Sequence, residues 1–237
     1  MGHLRHQPGQ QQQAPHQPAQ QVTLYGLDIE TDTTVDGLDP ETSPIVAIAI
    51  SGGGVELVFD GPEPSILRST DALLATLTPG LLVTWNGGRF DLPFLRRRAE
   101  LVGVPIGLVL EPRRATVAPH KNWDEAVRGR WHHHDHLDGY QLFRADAGRQ
   151  SGISCSLKNL ARLVGLPVVE VDRTAIHRLS STELTEYVVS DARLARQLVE
   201  RRLPHALAWS DHLGPASADR VGDRSESPPL SHGNAII

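Results

Sequence analysis

Three short segments carry residue types and spacings that could do chemistry. LYGLDIETD, residues 24–32, ends an apolar run in Asp28 and Glu30, with one residue between them. In a strand alternate residues share a face, so the two carboxylates point together while Leu27 and Ile29 point the other way. Like charges side by side near a core are costly unless something positive stands between them, and a divalent cation is the obvious candidate. The competing reading is a solvent-facing edge strand that carries two acids. TWNGGRFDLPFL, residues 84–95, leads a buried strand into Asn86-Gly87-Gly88 and places Asp91 where the next helix begins. A carboxylate there either faces a ligand at the carboxyl end of a sheet or caps the helix. In YVVSD, residues 187–191, Tyr187 and Asp191 stand four apart and share one helix face. Each feature has an ordinary structural explanation alone, whereas the set in this order points to a site that binds hard cations through carboxylate oxygens.

The elements that must position these residues read as α/β. VTLYGLDIE, PIVAIAISG and GVELVFDG are strands, and the glycines of SGGGV mark a hairpin turn between the second and third. A glycine-rich phosphate cradle would need a following helix and a lysine, and neither is there. SILRSTDALLATLTPG has helical apolar spacing and a Pro-Gly stop, LLVTWNG is a fourth strand, and DLPFLRRRAELVG is a helix with Pro93 in its first turn. Residues 104–130 read as loops with short strands. WHHHDHLDGYQLF reads as a fifth strand running into a helix, SLKNLARLVGL as a short amphipathic helix, and STELTEYVVSDARLARQLVERRL as the long last helix, with Ser181 as its cap and acids in its first turn. The expected architecture is a mixed five-stranded sheet flanked by helices.

Composition sets the bounds. The chain has 237 residues, 39% hydrophobic and 22% charged, with a formal net charge of -5. That balance argues against gripping long nucleic acid through a basic surface, but leaves room for a few nucleotides held at a local cationic site. Residues 1–21 form a Gln/Pro/His tract and residues 211–237 a second polar tail, so the folded domain is expected over 22–210. Cys155 is the single cysteine, so no internal disulfide can form, and the default expectation is a cytoplasmic protein. No apolar run reaches the roughly 18 residues of a membrane span, so no membrane partner is expected.

DIET, NGGRFDLPFL and YVVSDARLA resemble the three exonuclease motifs of the DEDD superfamily, in the subclass that uses tyrosine. The closest likeness is to the proofreading 3'–5' exonuclease domain of family B DNA polymerases, and it runs from about Val22 to Arg202. HLDGYQL and SLKNLARLVGLP also look like segments that lie between the second and third motifs of that family. The histidine subclass would place a histidine at position 186, which is Glu186 in this sequence. The resemblance implies a ribonuclease H-like fold and assigns the metal-binding acids to Asp28, Glu30, Asp91 and Asp191, with Tyr187 as the fifth catalytic residue. It implies two Mg2+ or Mn2+ ions about 3.5–4 Å apart, which activate water and stabilise charge in phosphodiester hydrolysis. Asp28 would bridge the ions, Glu30 and Asp191 would complete the nucleophile side, and Asp91 would serve the second ion. Tyr187 would orient the attacking water, since a phenol with a pKa near 10 is a poor base at neutral pH.

The implied partner is the 3' end of a single nucleic-acid strand, DNA in preference to RNA, with Thr31, Asn86 and Phe90 as candidate contacts. The chain leaves no room for a polymerase domain, so the expectation is a stand-alone exonuclease whose role in replication or repair would require a partner. The rival readings are an RNA-trimming 3' exonuclease, a degenerate module that only binds nucleic acid, and a scaffold. Four smaller features stand beside these. HHHDH, residues 132–136, would put His132, His134 and His136 on one strand face, as a zinc site or as a polar strand edge. Asp138 is a helix cap or a group behind the acids. Trp85 and Phe90 either stack on a terminal base or pack in the core. Arg96, Arg97 and Arg98 are a solvated helix face or a backbone contact.

Overall fold

Alternation in the first strand divides the molecule into two cores. In the computed structural model, which describes residues 22–112, 127–144, 148 and 151–211, β1 spans Thr23–Thr31. Tyr25, Leu27 and Ile29 enter one core with Ile66, Leu67 and Leu74 of α1 (Glu63–Thr76) and Leu92, Phe94 and Leu95 of α2 (Asp91–Leu101). Leu24 and Val83 enter the other, with α3 (Gly139–Phe143), α4 (Leu157–Leu163) and α5 (Ser181–Asp211). Each fully buried Leu or Ile contributes roughly 1.5–3 kcal/mol, so both helical layers are held firmly to the sheet.

The sheet has seven strands among the described residues, in the order β3-β2-β1-β4-β7-β6-β5. The remaining six are β2 (Ile45–Gly52), β3 (Val55–Asp60), β4 (Gly80–Thr84), β5 (Leu108–Pro112), β6 (Val127–Trp131) and β7 (His134–Asp138). β1, β4 and β7 run parallel and the flanking pairs antiparallel, so the carboxyl ends of the three central strands share one edge. Gly53 and Gly54, at φ 61° and 83°, make the expected β2–β3 turn.

The mixed sheet with helices on both faces is as expected, but its size is not five strands. The single strand expected through WHHHDH is broken because the chain reverses at His132, whose φ of 52° is left-handed. Trp131 therefore ends β6 and His134 opens β7, while residues 108–112 add β5 at the edge. The start of α5 also differs. Its reciprocal cap is Ser180 with Glu183, at 2.7 Å between the side chains and 2.9 Å from the Ser180 N–H, one residue ahead of the expected Ser181. No helix among the described residues is long and apolar enough to cross a membrane. The expected tails, 1–21 and 211–237, lie outside the described residues except for Asp211, which ends α5 instead of opening a tail.

Candidate active site

Strand β1 turns Asp28 and Glu30 toward α5 because Leu27 and Ile29 take the opposite face. Close approach of α5 depends on small residues beneath it. Ala47 and Ala49 of β2 pack against Val188 and Ala192, and a Cβ built on Gly26 would stand 1.9 Å from the Ala192 carbonyl oxygen. That contact sets Tyr187 and Asp191, one helical turn apart, over the β1 acids. Both are buried.

Asp91 arrives from a third segment. Asn86, at φ 67°, turns the chain sharply after β4, and the Gly87 position lies so close to the Asp91 Oδ2 that a Cβ would stand 2.9 Å from it. Asp91 does not cap α2; the capping position is Phe90, which makes no side-chain cap bond. Instead its carboxyl feels the backbone N–H groups of Asp91 itself and of Ile29, midway between Asp28 and Glu30, which oppose the rise that burial causes in its pKa. Asp138 holds this loop in place. Its Oδ1 accepts from the N–H groups of Asn86 at 2.9 Å and Tyr140 at 3.0 Å, so it caps α3 and fastens the β4–α2 turn together.

The four carboxyls share an enclosure with too little positive charge. Asp28 and Glu30 are half-buried as residues, but their carboxyl groups lie deep. Burial, then the neighbouring Asp191, Glu30 and Asp91, hold Asp28 well above the ordinary carboxylate range. Burial and Asp191 push Glu30 up to about 8, and burial pushes Asp91 up to about 7. Burial also raises Asp191, against the opposing pull of Lys158 and a hydrogen bond from the Tyr187 hydroxyl. Tyr187 is itself raised, by burial and then by Glu30 and Asp191, so its hydroxyl stays protonated and acts as a donor.

Lys158, on α4, is a member of the site that sequence reasoning missed. It pairs with Asp191, donates to the Val169 carbonyl at 2.8 Å and stands 4.5 Å from the Tyr187 ring centroid. The signals in the sequence were its place in SLKNLARLVGLP and its rarity: Lys121 and Lys158 are the two lysines among 23 basic residues.

As the side chains stand, no three His, Cys, Asp or Glu groups among the described residues converge on one ion position. Asp191 faces Lys158 instead. The donor chemistry nevertheless fits divalent cations. These are hard carboxylate oxygens whose pKa values are raised first by burial and then by the neighbouring acids.

Asp28, Glu30, Asp91, Tyr187 and Asp191 are thus brought together. The three candidate nucleic-acid contacts do not join them in the same way. Thr31 is buried and donates to the Gly37 carbonyl at 2.6 Å. Asn86 serves the turn, and Phe90 packs 5.2 Å from Phe94 against the α1–α2 core. Trp85 donates to the Cys155 carbonyl at 3.0 Å. The HHHDH histidines do not share one strand face. His132 sits in the turn beside Asp71 at 3.0 Å, His134 meets the Leu74 carbonyl at 2.9 Å, and His136 meets the Thr84 hydroxyl at 2.8 Å. Arg97 and Arg98 are engaged with Glu41 and Glu63.

Residues 57–188 match the family model described as a predicted 3'-5' exonuclease related to the exonuclease domain of PolB. The chain belongs to this family. The matched span contains Asp91 and Tyr187, while Asp28, Glu30 and Asp191 flank it. Relatives are a DNA polymerase of Archaeoglobus fulgidus, 25% identical over 183 residues, and DNA polymerase 1 of Aeropyrum pernix, 30% identical over 210 residues. These alignments cover 76% and 77% of this chain but 22% and 21% of the polymerases, so the chain spans about a fifth of their length. The family B DNA polymerase of Pyrobaculum calidifontis is similar in fold, with a TM-score of 0.69 at 21% identity over 91% of this chain and 28% of that one. The fold is ribonuclease H-like, as in the exonuclease domain of such a polymerase.

Proposed function

We propose that the chain is a metal-dependent 3'–5' exonuclease of the tyrosine subclass, which removes nucleotides from the 3' end of single-stranded DNA. One observation carries this reading. Four carboxyls from β1, the start of α2 and α5 meet in one enclosure, with a protonated tyrosine beside them. Asp28, Glu30, Asp91 and Asp191 would hold two Mg2+ or Mn2+ ions, which supply an activated water and stabilisation of charge on the phosphoryl oxygens. Tyr187 offers a hydrogen bond to orient the nucleophile and does not take its proton, because its pKa is raised. Lys158 offsets part of the charge on Asp191 and keeps the α4 side of the enclosure closed against α5. DNA is favoured over RNA because the matched relatives are DNA polymerases. A proofreading role would need a separate polymerase partner.

The test is incubation of the protein with Mn2+ and single strands of DNA and RNA, labelled at either end. A ladder from 5'-labelled DNA, with slower loss of RNA, is expected. Faster loss of RNA supports the RNA-trimming alternative, and loss of neither strand contradicts the enzyme.

A further inference from the structure

Between α4 and α5 a 3-10 turn, Arg173–Arg178, is bonded to the chain that leaves β1 just past Glu30. Its position is fixed from both sides. Asp172 caps it, accepting from the Thr174 N–H at 3.0 Å and hydroxyl at 2.7 Å. His177 Nδ1 lies 2.9 Å from the Thr33 hydroxyl, three residues beyond Glu30 on the chain leaving β1. Upstream, Lys158 holds the Val169 carbonyl at 2.8 Å while pairing with Asp191. The turn is therefore tied both to the end of β1 and to the α4 wall of the site.

Arg173 opens this turn, exposed, and among the described residues it makes no hydrogen bond or ion pair. Arg97, Arg98, Arg162, Arg193 and Arg196 each close on a glutamate, whereas Arg173, like Arg68, Arg130 and Arg178, closes on none among the described residues. Lack of acids is not the reason, since its charge acts on Glu30, Asp91, Asp191 and Tyr187 together. The turn holds the guanidinium close enough to feel four groups and too far to pair with any. Such a cation beside an anionic enclosure has its donors available to something that comes from solvent.

A phosphodiester meets that description. A planar guanidinium presents parallel N–H donors that match two phosphate oxygens. In a chain of net charge -5, a strand reaching buried acids is helped by a local cation beside them. We propose that Arg173 binds a backbone phosphate of the single strand entering the acid site, fixing its approach. The proposal rests on the exonuclease reading for the direction of entry, but the grip itself can be measured without cleavage.

The full-length chain, Arg173→Gln and Arg173→Lys are compared for binding a fluorescein-labelled single-stranded DNA oligonucleotide with Ca2+ in place of Mg2+, across a range of salt. Arg173→Gln is expected to weaken binding about 10-fold or more, the loss typical of a charged hydrogen bond. The slope of log affinity against log salt should fall by about 0.7, the signature of one lost phosphate contact on a single strand. Arg173→Lys should keep the slope and lose part of the affinity, which a merely structural role would not reproduce. Melting temperatures should agree across all three. Unchanged affinity and slope in Arg173→Gln would overturn the proposal, as would a wild type that binds no strand. Cleavage with Mn2+ runs in parallel: a wild type that binds with the Arg173 signature but never shortens the strand defeats the exonuclease reading alone. A wild type that shortens it, with an equal KM in Arg173→Gln, defeats the Arg173 grip alone.

Discussion

At the carboxyl end of β1 the molecule gathers acids from three separated segments, and at the amino end of β7 it scatters histidines that are neighbours in sequence. Both regions hold residues able to ligate metals. Asp71 is satisfied locally, although His134 Nδ1 close by is buried without a partner: one carboxyl oxygen of Asp71 accepts from the Gly107 N–H and the Trp131 indole, each at 2.7 Å, and faces His132 at 3.0 Å. His134 is buried against Leu74 and Tyr25, and burial lowers its pKa so that it stays neutral. The acid end is the opposite case. Asp28, Glu30, Asp91 and Asp191 are crowded, buried and short of cations, at a cost in stability that nothing in the packing explains. Contiguity in sequence is a poor guide to a site, while unmet charge in a folded interior is a good one.

The largest expected effect follows from removing one acid. Asp28→Asn should cut cleavage by about 10³-fold or more, since several kcal/mol of charge stabilisation depend on the shared ligands. Its melting temperature without metal should hold or rise, because like-charge repulsion is relieved. Near-normal turnover in that variant breaks the contrast between the two ends. Tyr187→Phe keeps the ring against Lys158 and deletes the hydroxyl bonded to Asp191. Single-turnover rates should fall by about 10²–10⁴-fold with stability retained; an unchanged rate with a lower melting temperature would make the residue structural.

Gly26→Ala attacks the acid end through its scaffold. The new methyl collides with the Ala192 carbonyl at 1.9 Å, so denaturant unfolding should show a loss of about 1–3 kcal/mol. Activity should fall with it, since α5 carries both Tyr187 and Asp191. A smaller effect is expected from pH. A carboxyl with a raised folded pKa binds more protons folded than unfolded, so stability falls as pH climbs between its two values. For Glu30 that window runs from 4.5 to about 8. Metal-free protein should therefore melt at lower temperature at pH 8 than at pH 5, and Mn2+ should recover more of the loss at the higher pH. A melting temperature that rises across that window would contradict the crowding of the acids. The smallest effect belongs to the histidine end, where His132→Ala should cost about 1 kcal/mol and leave the cleavage rate within about twofold.

Much of the acid end was legible because its information is local. The alternation of Leu27, Asp28, Ile29 and Glu30 dictates faces, and the spacing of Tyr187 and Asp191 dictates a helical stripe. The rest depends on contacts that no local pattern encodes. Lys158 reads as one polar residue on an amphipathic helix until α4 meets α5, and Arg173 reads as loop charge until His177 ties its turn to Thr33. Likewise, the strand through WHHHDH looked continuous because a left-handed histidine leaves no signature in composition. The cap at Ser180 was missed by one residue because Ser180 and Ser181 are equally good candidates until Glu183 selects one.

Titration calorimetry with Mn2+ at pH 7 compares the two ends most directly, on wild type, Asp28→Asn and His132→Ala. Wild type should bind Mn2+ and release protons, visible as a heat that varies with buffer, because Glu30 at about 8 and Asp91 at about 7 must give theirs up to become ligands. His132→Ala should match wild type, and Asp28→Asn should lose most of the binding. Binding that survives Asp28→Asn and disappears in His132→Ala, or a wild type that takes up no Mn2+, would contradict the assignment of the acid end as the metal site.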